Sequence, residues 1–214
     1  MSSRLARRGL YAITPERSLR GEALIAAVTA ALDGGAVMVQ YRAKRGASAA
    51  EALALHHACQ ARGVPLIVND DPVLALDVGA AGVHLGRDDA AIAAARALLG
   101  ERAIIGASCY DDLGRATEAV RAGADYVAFG RFYPSATKPQ AVPAPPALLT
   151  EARRQLAVPI VAIGGITPDN GAALITAGAD LLAVVDGVFG AVDPRQAAAR
   201  YQSLFTIAGT TEGN

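Results

Sequence analysis

Eight short apolar runs alternate along the chain with stretches of helical periodicity. Each run is four to six residues long, rich in Val and Ile, and almost continuously apolar. This pattern is typical of parallel strands that are buried on both faces. The predicted strands cover residues 10–14, 37–42, 66–69, 82–85, 104–108, 126–130, 159–164 and 181–185.

The stretches between the strands predict amphipathic helices. Leu24, Val28 and Leu32, for example, share one helical face. Four related segments, residues 33–36, 78–81, 122–125 and 177–180, each place a glycine where a helix would end in a left-handed cap, directly before a strand.

Eight strand–helix units in 214 residues, without a linker or low-complexity segment, predict a single-domain α/β fold of the (β/α)8 TIM-barrel type. An open doubly wound sheet is the alternative. We expect one domain over residues 1–214, with a short N-terminal extension and a tail that frays after about Phe205.

The amino-acid composition excludes several classes of function. Twenty basic residues balance 20 acidic ones, which argues against a strongly basic nucleic-acid surface. Two cysteines are too few for a disulfide framework or a cysteine-rich zinc site. No apolar run is long enough to span a membrane, and no apolar segment follows the basic N-terminus as in a secretory signal. We therefore expect a cytoplasmic protein with small-molecule partners, with no nucleic-acid or membrane partner, and leave homo-oligomerisation open.

In a barrel of this type the chemistry lies at the carboxyl ends of the strands. The second run ends in Gln40, Arg42 and Lys44, which strand alternation places on one side. A guanidinium fork beside a compact ammonium suits a phosphate or diphosphate, although a solvated loop is the alternative. Lys44 and Lys138 are also the two lysines of the chain, whose other cations are arginines.

Acidic residues follow the next two strands. Asn69, Asp70 and Asp71 end the third run, and Asp88 and Asp89 follow the fourth. Asp71, which precedes Pro72, is expected to cap the following helix, and one acid of the second pair could do the same. The other two could hold Mg²⁺, with water and a substrate phosphate completing the shell.

The later strands add polar and glycine-rich ends. Ser108 ends the fifth run, where it could donate to a ligand or cap a helix, and His84 within the fourth run is expected to be a hydrogen-bonded structural histidine. A loop of about 15 residues with five prolines follows the sixth strand; it carries Lys138 and is expected to be a lid. Glycine-rich turns after strands seven and eight are expected to bind a phosphate on backbone N–H groups.

These motifs, in this order, resemble the thiamine phosphate synthase family over nearly the whole chain. The most specific pieces are Gln40-x-Arg42-x-Lys44, Val68-Asn69-Asp70, Gly82-Val83-His84-Leu85-Gly86-x-x-Asp89, Tyr133-Pro134-Ser135-x-Thr137-Lys138 and Ile163-Gly164-Gly165-Ile166. The resemblance implies a transferase that joins 4-amino-2-methyl-5-hydroxymethylpyrimidine diphosphate to hydroxyethylthiazole phosphate. It implies early loss of diphosphate, assisted by Mg²⁺, and attack of the thiazole nitrogen on the resulting pyrimidine methylene cation.

The resemblance also implies a role for each matching residue. Arg42, Lys44, Asn69 and Lys138 would contact the diphosphate, and Asp70 and Asp89 would bind Mg²⁺. Gln40 and Ser108 would contact the pyrimidine or the developing charge. Ser135, Thr137, Gly165, Val185 and Asp186 would contact the thiazole phosphate. Arg42, Lys44, Ser108 and Lys138 are the catalytic set.

Some positions depart from the family pattern. Arg87 stands where Gln is frequent, Tyr110 where His is frequent, and Ser135 replaces a common Thr. Asp186 stands where Ser is common, and its carboxylate would repel a phosphate unless the side chain points away. The alternative functions are a thiazole tautomerase-like barrel, a phosphosugar epimerase that uses two carboxylates as acid and base, and a non-catalytic binder of thiamine intermediates.

Overall fold

The computed structural model describes residues 5, 8–16, 18–43, 46–86, 89–134 and 144–209, with the backbone alone for residues 89, 90 and 207–209. Eight parallel strands form a closed barrel in chain order. They are β1 (Gly9–Ile13), β2 (Met38–Tyr41), β3 (Leu66–Asn69), β4 (Gly82–Leu85), β5 (Ile104–Tyr110), β6 (Tyr126–Phe129), β7 (Ile160–Ile163) and β8 (Leu181–Val184).

Helices connect the strands on the outside of the barrel. They are α1 (Gly21–Asp33), α2 (Ala49–Gln60), α3 (Pro72–Asp77), α4 (Asp89–Leu99), α5 (Leu113–Arg121), α6 (Ala147–Gln155), α7 (Gly171–Ala177), α8 (Asp186–Phe189) and α9 (Pro194–Gly209). None of the helices in the described ranges is long and apolar enough to cross a lipid bilayer.

The predicted barrel is confirmed, and the open sheet is excluded because β1 pairs with β8. Every strand lies within two residues of its predicted run. The expected glycine caps are present as positive φ angles at Gly35, Gly79, Gly123 and Gly178. Helix α9 continues past Phe205 to Gly209, and the extent of the domain over 1–214 stays a prediction because the described residues stop short of both termini.

Asp125 fastens the amino-terminal end of the barrel. Its Oδ2 atom accepts a hydrogen bond from the Ile105 backbone N–H at 2.8 Å and one from the Arg96 guanidinium at 2.6 Å. Arg96 also donates to the carbonyl oxygens of Ala103 at 2.7 Å and Gly123 at 3.0 Å. One partly buried ion pair thus ties α4, β5 and the turn before β6 together.

Asp180 repeats this arrangement two strands further on. Its Oδ2 accepts from the Ile160 backbone N–H at 2.8 Å and from the Arg153 guanidinium. Arg153 also donates to the carbonyl oxygen of Gly178 at 2.9 Å. Two of the predicted glycine-containing segments, residues 122–125 and 177–180, end in Gly-Ala-Asp. In both, the aspartate joins a helix arginine to the start of a strand, an arrangement called the latch below. Both latches lie at the end of the barrel away from the carboxyl ends of the strands.

Strand alternation separates two apolar layers. Residues that point outward pack under the helices, whereas an inner cluster fills the barrel. Tyr126 is a fully buried member of that cluster, and Gly106 leaves space for its ring, since a Cβ atom at Gly106 would lie 2.0 Å from the Tyr126 Cζ atom. Nearer the carboxyl ends of the strands the inner positions become polar, which places the site described below.

Replacing Asp125 by Ala should destabilise the fold by about 2 to 3 kcal/mol, because the Arg96 charge and the Ile105 N–H both lose a partly buried partner. Urea unfolding followed by circular dichroism measures this change. Asp77→Ala, at an exposed aspartate on α3, is the control and should stay within about 0.5 kcal/mol of wild type. Equal midpoints for the two variants would contradict the latch.

Candidate active site

A cavity of about 550 Å³ opens at the carboxyl ends of the strands, and all eight strands or the loops that follow them contribute to its lining. This is the position at which barrels of this type carry their chemistry. Of the predicted site residues, the described lining includes Gln40, Arg42, Asn69, Asp70, Ser108, Gly165, Val185 and Asp186.

A continuous chain of hydrogen bonds forms the polar floor of the cavity. The Gln40 Nε2 donates to the Tyr11 hydroxyl at 2.7 Å, and the hydroxyls of Tyr11 and Tyr126 lie 2.9 Å apart. The Tyr126 hydroxyl lies 3.0 Å from His84 Nδ1, and His84 Nε2 lies 2.9 Å from Ser108 Oγ. The chain thus joins two predicted site residues, Gln40 and Ser108, through three residues that were not predicted to act together.

Burial sets the charge state of this floor. Desolvation lowers the pKa of His84 to about 4, although the nearby Asp70 charge acts in the opposite direction. Desolvation also raises the pKa values of Tyr11 and Tyr126, so both keep their hydroxyl hydrogens at neutral pH. His84 is hydrogen-bonded, as predicted, and it also lines the cavity.

Arg42 lies at the rim beside Gln40, on the same side of β2, as strand alternation predicts. Its Nη1 atom is 3.4 Å from the Glu16 Oε2 atom, and its side chain is 17% exposed. Its backbone N–H donates to the Thr14 hydroxyl at 2.9 Å, which ties the end of β2 to β1. Lys44 lies outside the described residues.

A buried carboxylate on α2 links the end of β2 to the start of α1. Glu51 is 8% exposed and accepts from the Tyr41 hydroxyl at 2.7 Å and from the Gly21 backbone N–H at 2.6 Å. The same Tyr41 oxygen accepts from the Ser48 backbone N–H at 3.1 Å. Burial raises the pKa of Tyr41, so its hydroxyl remains a donor to Glu51.

The structure separates the two acids that follow β3. Asp71 caps α3, accepting from the Leu74 backbone N–H at 2.8 Å, with Pro72 in the first turn. Asp70 instead lines the cavity and has a left-handed backbone with φ 62°. The Asn69 side-chain amide donates to Asp70 Oδ2 at 2.7 Å, so the two side chains form one polar unit at the rim.

The acids after β4 are described only in part. Asp89 is the first residue of α4, three residues after Gly86, which lines the cavity. Its side chain and the whole of Arg87 and Asp88 lie outside the described residues. Within the described ranges, no group of three or more His, Cys, Asp and Glu side chains is arranged to hold a metal ion.

Ser108 is part of the floor and does not cap a helix, because Asp112 caps α5 by accepting from the Arg115 backbone N–H at 3.0 Å. β5 continues two residues beyond its predicted end, through an irregularity in its pairing with β6 between Ser108 and Tyr110. Tyr110, with φ 57°, also lines the cavity.

The start of the long loop after β6 also reaches the cavity. Gly130, Arg131 and Pro134 belong to the lining, and Arg131 is a cation that the sequence analysis did not single out. Ser135, Thr137 and Lys138 lie outside the described residues, so the expected lid remains a prediction.

Glycines shape the rim after β7. Gly164 and Gly165 have φ angles of 106° and 64°, which few other residues adopt. A Cβ atom at Gly165 would lie 2.3 Å from the Pro134 carbonyl oxygen, so glycine allows the loop after β6 to pack against this turn. The Tyr201 hydroxyl donates to the Ile166 carbonyl at 3.0 Å and holds the turn from α9.

Asn170 braces the same turn from its far end. Its side chain accepts from the Thr167 backbone N–H at 2.8 Å and donates to the Gly165 carbonyl at 3.1 Å. Val185 and Asp186, at the end of β8 and the start of α8, continue the lining. The Asp186 residue is exposed to solvent.

The cavity therefore has two different rims. The β2–β4 rim carries Arg42, Asn69 and Asp70, and the β7–β8 rim carries the two glycines and the start of α8. Since β3 and β7 are four strands apart in a closed ring of eight, these rims face each other across the cavity.

Residues 10–188 match the sequence profile of a family described as thiamine monophosphate synthase. A thiamine-phosphate synthase of Methylococcus capsulatus is 53% identical, over 92% of this chain and 89% of the relative. One of Thiobacillus denitrificans is 56% identical, over 92% of this chain and 94% of the relative. A solved thiamine phosphate pyrophosphorylase from Pyrococcus furiosus superposes with a TM-score of 0.82 at 33% identity, covering 97% of this chain and 98% of that one. The chain belongs to the thiamine monophosphate synthase family.

Proposed function

We propose that this chain is a thiamine-phosphate synthase that couples 4-amino-2-methyl-5-hydroxymethylpyrimidine diphosphate with hydroxyethylthiazole phosphate. The products are thiamine phosphate and diphosphate. One observation carries the proposal beyond family membership: a single cavity has a charged rim and a glycine-rich rim on opposite sides. An enzyme that joins two phosphorylated substrates needs two anion sites around one reaction space.

The reaction begins with cleavage of the bond between the pyrimidine methylene carbon and the diphosphate oxygen. The electron pair leaves with the oxygen, and the thiazole nitrogen then attacks the methylene cation. This sequence needs no general base and no covalent nucleophile. It needs positive charge and hydrogen-bond donors where the leaving group gains negative charge.

Arg42 supplies that charge from the β2–β4 rim. Its guanidinium has five N–H donors, and Glu16 engages one end of it, which orients the group before substrate binds. Low exposure strengthens its interaction with an anion relative to bulk water. Lys44, Asn69 and Lys138 are the further diphosphate contacts in this proposal.

The residues at the rim suit a magnesium ion. Asp70 brings a hard oxygen donor to the cavity, and Asp89 begins α4 next to the same rim. Two carboxylates completed by water and substrate phosphate are a ligand set that Mg²⁺ takes. When bound, the ion supplies positive charge against the diphosphate.

The β7–β8 rim receives the thiazole phosphate in this proposal. The positive φ angles at Gly164 and Gly165 let the backbone approach an anion closely, and Val185 continues this surface. Ser135 and Thr137 add hydroxyl donors. Asp186 contributes its backbone N–H rather than its carboxylate, because two negative groups would repel each other.

A coupling assay tests the proposed function. Purified protein is given both substrates and Mg²⁺, with and without a chelator, and thiamine phosphate and diphosphate are quantified together. We expect equal, chelator-sensitive formation of both products. Diphosphate release without thiamine phosphate would contradict the assigned thiazole site, and absence of both products would overturn the synthase function in favour of a tautomerase or a binder.

Arg42→Ala should lower kcat/KM for the pyrimidine diphosphate by about 100- to 1000-fold, because a preorganised donor to the leaving group is lost. The KM for thiazole phosphate should be unchanged. Arg62→Ala is the matched control, since Arg62 pairs with Asp33 at 2.7 Å on the outer surface of the barrel. A KM for thiazole phosphate that rises as much as kcat/KM for the pyrimidine diphosphate falls would contradict the diphosphate assignment.

Asp70→Asn should raise the Mg²⁺ concentration needed for half-maximal activity by at least about tenfold, the cost that even an outer-shell metal contact carries. Paramagnetic resonance of Mn²⁺ with inorganic diphosphate measures the loss of cation binding without turnover. Asp71→Asn is the control, because asparagine preserves the cap on α3. Equal behaviour of the two variants would show that Asp70 is not a ligand.

A further inference from the structure

With Gln40 Nε2 directed at the Tyr11 hydroxyl, the floor of the cavity allows one direction of hydrogen bonding along its whole length. Gln40 Nε2 donates to the Tyr11 hydroxyl oxygen, so the single Tyr11 hydrogen is directed to its other neighbour, the Tyr126 oxygen. Tyr126, having accepted that hydrogen bond, donates its own hydrogen to His84 Nδ1 at 3.0 Å.

The same logic fixes the ring of His84. Because Nδ1 accepts from Tyr126, the ring hydrogen resides on Nε2, which donates to Ser108 Oγ at 2.9 Å. The Ser108 oxygen is then an acceptor within the floor, and its own hydrogen is directed elsewhere, toward the cavity that Ser108 lines.

The opposite direction leaves a donor unused. If His84 donated from Nδ1 to Tyr126, then Tyr126 would donate to Tyr11, and the Tyr11 oxygen would accept both hydrogen bonds. The Tyr11 hydrogen would then have no acceptor among its contacts in the described residues, at a side chain that is 1% exposed. An unmade buried hydrogen bond costs about 1 to 3 kcal/mol, which favours the first direction.

The two ends of this series of hydrogen bonds, Gln40 and Ser108, consequently present opposite hydrogen-bonding groups to the cavity. Gln40 uses its amide N–H₂ on Tyr11, which leaves its carbonyl oxygen as the acceptor end. Ser108 presents its hydroxyl as the donor end. A 4-aminopyrimidine offers the complementary groups, amino N–H donors and ring-nitrogen acceptors, whereas the corresponding pyrimidinone offers a ring N–H and a carbonyl in reversed order.

We infer that Tyr11, Tyr126 and His84 are positioning residues whose hydrogen-bond direction makes the cavity floor specific for an aminopyrimidine over its oxo counterpart. They act through Gln40 and Ser108. The identity of the substrate rests on the proposed function, whereas the direction of the hydrogen bonds is independent of it.

Nitrogen-15 NMR of the ring tests the direction without any turnover. The chain has three histidines, so the variant His56→Gln/His57→Gln leaves His84 as the sole histidine signal. We expect a neutral ring with the hydrogen on Nε2. A hydrogen on Nδ1, or a charged ring at neutral pH, overturns the inference whether or not the protein couples the two substrates.

Calorimetry then tests the specificity with two unreactive ligands, 4-amino-5-hydroxymethyl-2-methylpyrimidine and its 4-oxo analogue. The wild type should prefer the amino compound by about 100-fold or more, as buried polar sites do against a mismatched ligand. Tyr126→Phe, which removes the central hydroxyl and keeps the ring, should reduce this ratio at least tenfold. A ratio near one in the wild type, or binding of neither ligand, overturns the specificity.

Cys109→Ala is the control for destabilisation alone. Cys109 neighbours Ser108 on β5 but is buried in the outer layer, away from the cavity. It should lower the melting temperature without changing the ratio of the two affinities. An unchanged ratio in Tyr126→Phe, or an equal change in Cys109→Ala, would show that the tyrosine contributes only to packing.

Discussion

The site depends on one constraint, the burial of a layer of polar side chains inside the barrel below the cavity. Tyrosine, histidine, glutamine and serine side chains can be taken out of water here only if their polar atoms pair with one another. Among the described residues, no buried side-chain nitrogen or oxygen lacks a partner. The requirement links five strands, fixes the rotamers of Gln40 and Ser108, and gives the cavity a rigid floor before any substrate arrives.

Residues that stabilise the fold and residues that line the cavity lie at opposite ends of the barrel. At the amino-terminal end, Asp125 and Asp180 latch helices to strand starts with arginine partners. At the carboxyl end, Arg42 is partly buried, Asp70 is exposed, and both line the cavity. The rims can keep these charged groups because water reaches them, whereas the same charges would be costly in a closed core.

The fold could be predicted well because strand burial and glycine caps are local signals. Strand alternation also predicted that Gln40 and Arg42 share one side of β2, and both line the cavity. The role of Tyr126 could not be predicted from the sequence, because Tyr126 stands in an apolar run. Its hydroxyl finds partners only through the register of β1, β4 and β6. The extension of β5 to Tyr110 was missed because it depends on a pairing irregularity that hydrophobic patterning does not encode. The cap on α3 could be predicted at Asp71, because Pro72 follows it, and the structure confirms this prediction and leaves Asp70 to line the cavity.

If one cavity holds two separate anion sites, it can bind both anions at once, and simultaneous binding tests this arrangement most directly. Inorganic diphosphate and hydroxyethylthiazole phosphate can each be titrated calorimetrically into the protein with Mg²⁺, alone and in the presence of the other at saturation. We expect one site per chain for each ligand, with neither ligand displacing the other. Competitive displacement would contradict this arrangement, because both anions would then occupy the same rim.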